Sequence, residues 1–376
     1  MGEKLRMASL FRAPQRILTG IGSISELPDE AAMLGDSAFL VTGQASLRAS
    51  GRLQEIVGLL DAKGVDVTIY SARPGETTTA EVDEARELFA MGGCEFVVAI
   101  GGGSVLDLGK AVAALARAGS KTSHYLADAE VESSGVPMIA VPTTSGTGSE
   151  ATPNSVLIDF DRRIKKSLRA PGMMPLVAIL DPELTVSVPP DVTASSGMDA
   201  FTQAVESYLS VHATPLTEAL SISAVELISG NIRAAHKNGA DISARSAMAY
   251  GSFQAGVAMA NARLGAVHGI AHPIGARYGV PHGVACAVLL PRVLEINRPA
   301  ASEKMVRLDR VAGRDVVRFT FELLSVLGLP ADLKEYKVDR SDFPAIIEES
   351  LASGSLKANP KKFTAEDVLE VLKKIS

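Results

Sequence analysis

The chain has 376 residues, 47% of them hydrophobic, with 33 glycines, two cysteines and a net charge of −6. That length exceeds one ordinary core, so two domains are expected, and the mild negative charge excludes nucleic acid as a main partner, since phosphate neutralisation needs a basic surface. Cys94 and Cys286 form no CxxC pair, which argues against a disulfide framework or a cysteine zinc site, and no uncharged apolar run is long enough to span a bilayer.

Residues 1–12 carry scattered charges and do not read as a signal peptide. Together with the low cysteine usage, this predicts a soluble, cytoplasmic protein without a membrane partner. Strand-like runs follow at Ser37–Thr42, Asp66–Tyr70, Glu95–Ile100, Met138–Val141 and Val177–Leu180. Helical patterns at Leu53–Lys63, Ala80–Met91 and Ser104–Ala118 separate the first four. Such alternation predicts an α/β domain built on a mostly parallel sheet with helices on both faces. Beyond Asp181-Pro182 and Pro189-Pro190 the strand signals nearly stop. Helical patterns then cover Ala194–Ser210, Thr217–Lys237, Ile242–Asn261, Glu303–Val311, Val316–Leu327, Arg340–Ser350 and Thr364–Ile375. The boundary is expected near 182–190, dividing the chain into an α/β domain at 1–185 and an all-helical domain at 186–376.

Gly101-Gly102-Gly103-Ser104 ends one strand and opens a helix. The glycines allow a tight turn and close backbone approach, Ser104 is placed as N-cap, and Asp107 stands at the capping-box position. The free amides of such a helix start suit a diphosphate, although a plain strand–helix turn uses the same residues. The pattern is not GxGxxG. A second loop, residues 142–150 (PTTSGTGSE), follows the next strand and offers hydroxyls and amides to phosphate or ribose, or else forms a polar surface loop. Two such loops at strand ends of one sheet favour a nucleotide, which open α/β sheets bind there.

Three of the six histidines fall within fifteen residues. His268 and His272 are four apart and share a helix face; His282 follows a Gly/Pro turn. Two imidazoles from this segment can ligate a divalent metal. The helical pattern at 194–210 carries an apolar stripe of Met198, Phe201, Val205 and Tyr208 and a polar stripe of Asp199, Gln203 and Glu206. Glu206 reads as part of a solvated face. Gly251, Ala255, Ala258 and Ala262 form a small-residue stripe suited to close helix packing.

With these motifs assembled, the chain resembles the iron-containing alcohol dehydrogenase family, within the dehydroquinate-synthase-like fold, from Arg16 to Asn297. GGGSVLDLGKA, PTTSGTGSEAT, DPELTVSVPP, GMDAFTQAVESY and GAVHGIAHPIG…PHG carry the likeness, in family order. The resemblance implies a nicotinamide dinucleotide, one divalent metal (iron or zinc), and a homodimer or larger homo-oligomer. It implies that Gly101, Gly102, Gly103 and Ser104 hold the diphosphate, that Thr143, Thr144 and Thr147 line the cofactor with Asp107 nearby, and that Lys165 contacts a ribose. The alternative for Lys165 is a place in the solvated run Arg162–Lys166. Asp199, His268 and His282 match metal ligands. His272 matches a histidine near nicotinamide and substrate that relays a proton, or else supports the site from the core.

Two departures from the family pattern bear on the site. Histidine is expected four residues after the ligand aspartate, but Gln203 stands there. Its amide oxygen is a weaker ligand, so the metal is held by Asp199, His268 and His282 with or without Gln203, as in glycerol dehydrogenases, or is absent, as in maleylacetate reductases. At the end of the strand Ser37–Thr42, Gly43 replaces the acidic residue that often bonds the adenosine ribose. Ser46 and Arg48 can bond a 2′-phosphate, which favours NADP(H) over NAD(H). The expected activity is hydride transfer between the dinucleotide and a small alcohol or aldehyde, the metal polarising the substrate oxygen. The alternatives are a metal-independent maleylacetate-type reductase, a glycerol-type polyol dehydrogenase and, least favoured, a non-enzymatic nucleotide-binding protein.

Overall fold

Along the central strands, side chains alternate between two buried faces. Phe39, Val41, Val97 and Ala99 enter one apolar cluster, while Ala38, Leu40, Phe96, Val98 and Ile100 enter another. Strands buried on both sides read as continuous apolar runs, as parallel sheets covered by helices require. The computed structural model describes residues 10–44, 46–131, 134–162, 164–170 and 172–376. Contacts divide the chain into two compact units. The α/β unit comprises Ala13–Thr144 and Ser149–Ser187; the helical unit comprises Val188–Ser376, with Ser145–Gly148 and, of the described N-terminal residues, 10–12.

The α/β unit runs β1 (Arg16–Thr19), α1 (Leu27–Ala32), β2 (Ser37–Thr42), α2 (Ser46–Ala49), α3 (Arg52–Asp61), β3 (Asp66–Ser71), α4 (Thr79–Met91), β4 (Phe96–Gly101), α5 (Gly103–Leu115), α6 (Thr122–Leu126), β5 (Met138–Pro142), β6 (Ser155–Asp159), β7 (Ile164–Leu168) and β8 (Val177–Leu180). Six strands form a parallel sheet in the order β1-β8-β5-β4-β2-β3; β6 and β7 pair antiparallel in a separate ribbon. The chain leaves β2 for β3 on one side and returns to β4 on the other, so the strand order reverses between β2 and β4. Thr42 is in register with Ile100, and Gly101 with Pro142. The carboxyl ends of β2, β4 and β5 therefore lie side by side, where open sheets of this kind accept ligands.

The helical unit contains α7 (Pro190–Leu209), α8 (Pro215–Lys237), α9 (Ile242–Ala262), α10 (Ala266–Tyr278), α11 (His282–Asn297), α12 (Ser302–Val311), α13 (Val316–Val326), α14 (Phe343–Ala352) and α15 (Ala365–Ile375). Pro190 opens α7 at a position where a missing N–H costs nothing. Helix α7 packs on α8, α9 and α11, so both its apolar and its polar stripe are buried. Gly251 on α9 faces α8, where an added Cβ would stand 2.7 Å from Ile228 Cγ1; the small-residue stripe serves helix packing. This α/β unit followed by an all-helical one is the expected fold class. No helix among the described residues is long and apolar enough to cross a membrane.

Candidate metal centre and dinucleotide-binding loops

The polar side chains of α7 meet the starts of α10 and α11. Gly283 on α11 lies so close to α7 that a Cβ there would stand 2.2 Å from Ser195 O. This close approach brings the α11 histidine to Asp199. Asp199 Oδ1 lies 3.3 Å from His268 Nε2 and 3.6 Å from His282 Nε2. Asp199 and His268 are buried, whereas the His282 side chain keeps 34% exposure. The three expected ligands are thus brought together.

Glu206 corrects the expectation of a solvated face. It is buried, its Oε1 accepts the Val267 amide at 2.6 Å, and its Oε2 lies 2.6 Å from His268 Nδ1. The first amides of α10 lack intrahelical partners. Asn359 Oδ1 takes that of Ala266 and Glu206 takes that of Val267. One carboxylate therefore caps the helix and orients the imidazole, directing Nε2 toward Asp199. Metal-binding histidines commonly show such an outer partner. The i, i+7 spacing from Asp199 held this signal, because it aligns both carboxylates on one face.

Cys286 joins this cluster, a neighbour that the spacing of the cysteines did not announce. Its thiol is fully buried, and its Sγ lies 3.7 Å from both His268 Nε2 and His282 Nε2. The ligand atoms of Asp199, His268, His282 and Cys286 all fall within 4.8 Å of one another. The sequence signal was the four-residue interval from His282 to Cys286, one helical turn rather than a CxxC knuckle.

Burial opposes every charge in this cluster, yet the opposite charges outweigh it. Asp199 is held below the usual carboxylate range by His282 and His268. His268 is raised well above the usual imidazole range by Cys286, Asp199 and Glu206, and His282 is raised by Cys286 and Asp199. The two imidazoles lower the Cys286 thiol. Groups that hold protons on two neighbouring imidazoles form the same negative environment that a divalent cation would occupy with proton release.

Gln203 lies beside the cluster. Its Nε2 donates to Asp199 Oδ2 at 3.0 Å, and its buried Oε1 has no hydrogen-bond partner among the described residues. A buried orphan acceptor costs about 1–3 kcal/mol, so it is a second mark of a site built to receive something polar. The donor set fits a divalent metal. His272, exposed one turn beyond His268, stacks on His282 with ring centroids 5.5 Å apart.

In the α/β unit, the helix after β4 begins at Gly103 with Gly102 as N-cap and no side-chain cap bond. This corrects the capping-box reading of Ser104 and Asp107. Ser104 is exposed, and Asp107 instead accepts Ser149 Oγ at 2.5 Å and the Val156 amide at 2.8 Å, with Lys110 Nζ at 3.0 Å. A Cβ at Gly101 would stand 2.6 Å from Val105 Cβ, so only glycine permits this tight return into α5. The Thr143 amide donates to Gly101 O at 2.9 Å. An added Cβ at Gly102 would meet Thr144 Oγ1 at 3.5 Å. Gly101, Gly102, Gly103, Thr143 and Thr144 thus share one rim. Thr147 is assigned to the helical unit instead. Gly43 follows β2 directly, and exposed Arg48 donates to Ser71 Oγ, at the end of β3, at 2.9 Å. The Ser46 side chain lies outside the described residues. Lys165, on β7, pairs with Glu76.

Residues 14–182 match the family described as iron-containing alcohol dehydrogenase, and residues 193–376 match its C-terminal part. The chain belongs to the iron-containing alcohol dehydrogenase family. It is similar to the NAD-dependent methanol dehydrogenase of Bacillus methanolicus, 32% identical, with 98% of this chain and 99% of that protein covered. The solved structure of a 1,3-propanediol oxidoreductase superposes with a TM-score of 0.94 at 32% identity, covering 98% of this chain and 100% of that one. The sulfoacetaldehyde reductase of Bifidobacterium kashiwanohense, solved in complex with NAD+, gives 0.92 at 30% identity, covering 98% and 99%. An iron-containing alcohol dehydrogenase is a metal-dependent oxidoreductase, and the likeness spans both units of this chain.

Proposed function

We propose that this chain interconverts small alcohols and aldehydes, using one divalent metal, iron or zinc, and a nicotinamide dinucleotide, NADP(H) ahead of NAD(H). The observation that carries the reading is the convergence of Asp199, His268 and His282 from three helices. When bound, the metal supplies Lewis acidity at the substrate oxygen, and the dinucleotide gives or takes the hydride. Asp199, His268 and His282 hold the ion; Glu206 orients His268, and Gln203 orients Asp199. The rim of Gly101, Gly102, Gly103, Thr143 and Thr144 offers amides and hydroxyls to the diphosphate, at the start of α5. His272, exposed above His282, moves the substrate proton to and from solvent at a ring nitrogen.

The preference for NADP(H) rests on Gly43, which leaves no carboxylate at the end of β2 to repel a 2′-phosphate, and on Arg48, exposed nearby at the end of β3. The methanol dehydrogenase relative is named as NAD-dependent, so both coenzymes belong in the assay. Two buried free thiols, Cys94 and Cys286, support a reducing, cytoplasmic compartment. A homodimer or larger homo-oligomer is proposed from the family resemblance.

Metal analysis of the purified protein, with turnover on an aldehyde panel before and after chelation, tests the reading. We expect one divalent ion per chain, loss of turnover on stripping, and recovery on adding metal back. Full turnover by stripped protein, or none across the panel with either coenzyme, would overturn it.

A further inference from the structure

We infer that the Cys286 thiolate is a fourth metal ligand, completing an Asp199/His268/His282/Cys286 donor set, and that Gln203 positions Asp199 without ligating. This rests on the metal-dependent reading above and extends it to the identity of the ligands and of the ion.

The argument begins with ligand spacing. Metal–nitrogen and metal–oxygen bonds of about 2.0–2.1 Å in a tetrahedron place those donors about 3.3–3.4 Å apart, and a metal–sulfur bond of about 2.3 Å places sulfur about 3.6 Å from nitrogen. Here the Asp199 oxygen stands 3.3 and 3.6 Å from the two imidazole nitrogens. The sulfur stands 3.7 Å from each of the same two nitrogens. Four of the six edges of such a tetrahedron are therefore already close to their metal-bound lengths, and every donor lies within 4.8 Å of the rest.

Local structure explains how the thiol reaches the site. His282 and Cys286 are one turn apart on α11 and project to the same side. The close contact of Gly283 with Ser195 presses that side of α11 against α7, which carries Asp199. A buried cysteine with no chemistry is ordinarily surrounded by apolar groups. Cys286 instead faces two imidazole nitrogens.

Gln203 gives the complementary observation. Its amide nitrogen is committed to Asp199 Oδ2 at 3.0 Å, which leaves Oδ1 as the atom nearest both imidazoles. The expected histidine at this position would have been a ligand. With glutamine there, the thiol supplies the missing fourth donor from a different helix. A thiolate, two imidazoles and one carboxylate form a softer set than carboxylate and imidazoles alone, and this favours zinc or cobalt over iron(II) and magnesium. With the fourth place taken by sulfur, substrate access is through a fifth place, which catalytic zinc sites allow.

The test uses the full chain, stripped of metal and titrated with cobalt(II), then with zinc against a chromophoric chelator. We expect one equivalent of cobalt and a sulfur-to-cobalt charge-transfer band in the near ultraviolet. The band should vanish in Cys286→Ser and persist in Cys94→Ser and Gln203→Ala. Zinc affinity of Cys286→Ser should fall by more than the about 10–100-fold that loss of an outer partner costs. Stoichiometric cobalt binding by the unaltered chain without that band, or a band that survives Cys286→Ser, would overturn the thiolate ligand and leave the Asp199/His268/His282 reading standing. No metal uptake at all would overturn both.

Discussion

Glu206 Oε2 stands 2.6 Å from His268 Nδ1, while its other oxygen holds the Val267 amide at the start of the same helix. Imidazole orientation is therefore tied to the capping of α10. Glu206→Gln keeps the shape but replaces one acceptor oxygen with a donor. We expect metal affinity and turnover to fall by about 10–100-fold, with a smaller effect on the melting temperature of metal-stripped protein. Competition titration with a chelator and calorimetry measure the two separately. Unchanged metal affinity would show that Glu206 only caps the helix.

Gly101 and Val105 define the turn from β4 into α5. An alanine at 101 would place its Cβ 2.6 Å from Val105 Cβ, an atom fixed to the helix backbone. Forced overpacking of this kind costs about 1–3 kcal/mol. Gly101→Ala should lower the urea midpoint accordingly and weaken dinucleotide binding, followed through the fluorescence of the reduced coenzyme. If the variant matches the parent in both, the turn tolerates a side chain and its glycine is not required.

Much of this was readable from residue order alone. The strand–helix alternation and the run of late helices follow from apolar periodicity, and β2 and β8 fall on the expected residues. Helix α10 shows in the sequence only through the face shared by His268 and His272, and α11 not at all, since Pro273 and Pro291 sit inside them and proline ordinarily ends a helix. The β6–β7 ribbon was masked by a basic run that reads as solvated. Asp199, His268 and His282 were nameable by resemblance. Glu206 and Cys286 were not, because burial of a polar helix face depends on which helices cover it, a tertiary matter. The capping-box pattern at Ser104 was misleading for a related reason: the Asp107 side chain bonds the Val156 amide and the Ser149 hydroxyl, across the fold, rather than its own helix terminus.

The proposed coenzyme preference rests on charge at the neighbouring ends of β2 and β3. Arg48 is exposed there and steadied by Ser71. A guanidinium bonding a phosphate is a strong charge-assisted contact. Arg48→Ala should lower kcat/KM for NADPH by about tenfold, equivalent to about 1.4 kcal/mol, and change that for NADH little. Gly43→Asp should act in the same direction by repelling the 2′-phosphate. Parallel losses with both coenzymes would place Arg48 away from the phosphate.

A last prediction concerns stability rather than turnover. Glu150 is 3% exposed, and burial pushes its carboxyl from 4.5 up to about 7, with a backbone hydrogen bond and Lys110 only partly resisting. The folded chain thus binds this proton more tightly than the unfolded chain. The resulting stabilisation is complete below pH 4.5 and is lost as pH rises through about 7. The full difference is about 3 kcal/mol. Glu150→Gln, which carries no titrating group, should flatten the stability profile across that window and exceed the parent in stability on its alkaline side. Urea midpoints of both proteins, taken at matched pH values, measure the difference. Parallel profiles would mean that Glu150 ionises without cost, and that Lys110 or water compensates its charge within the fold.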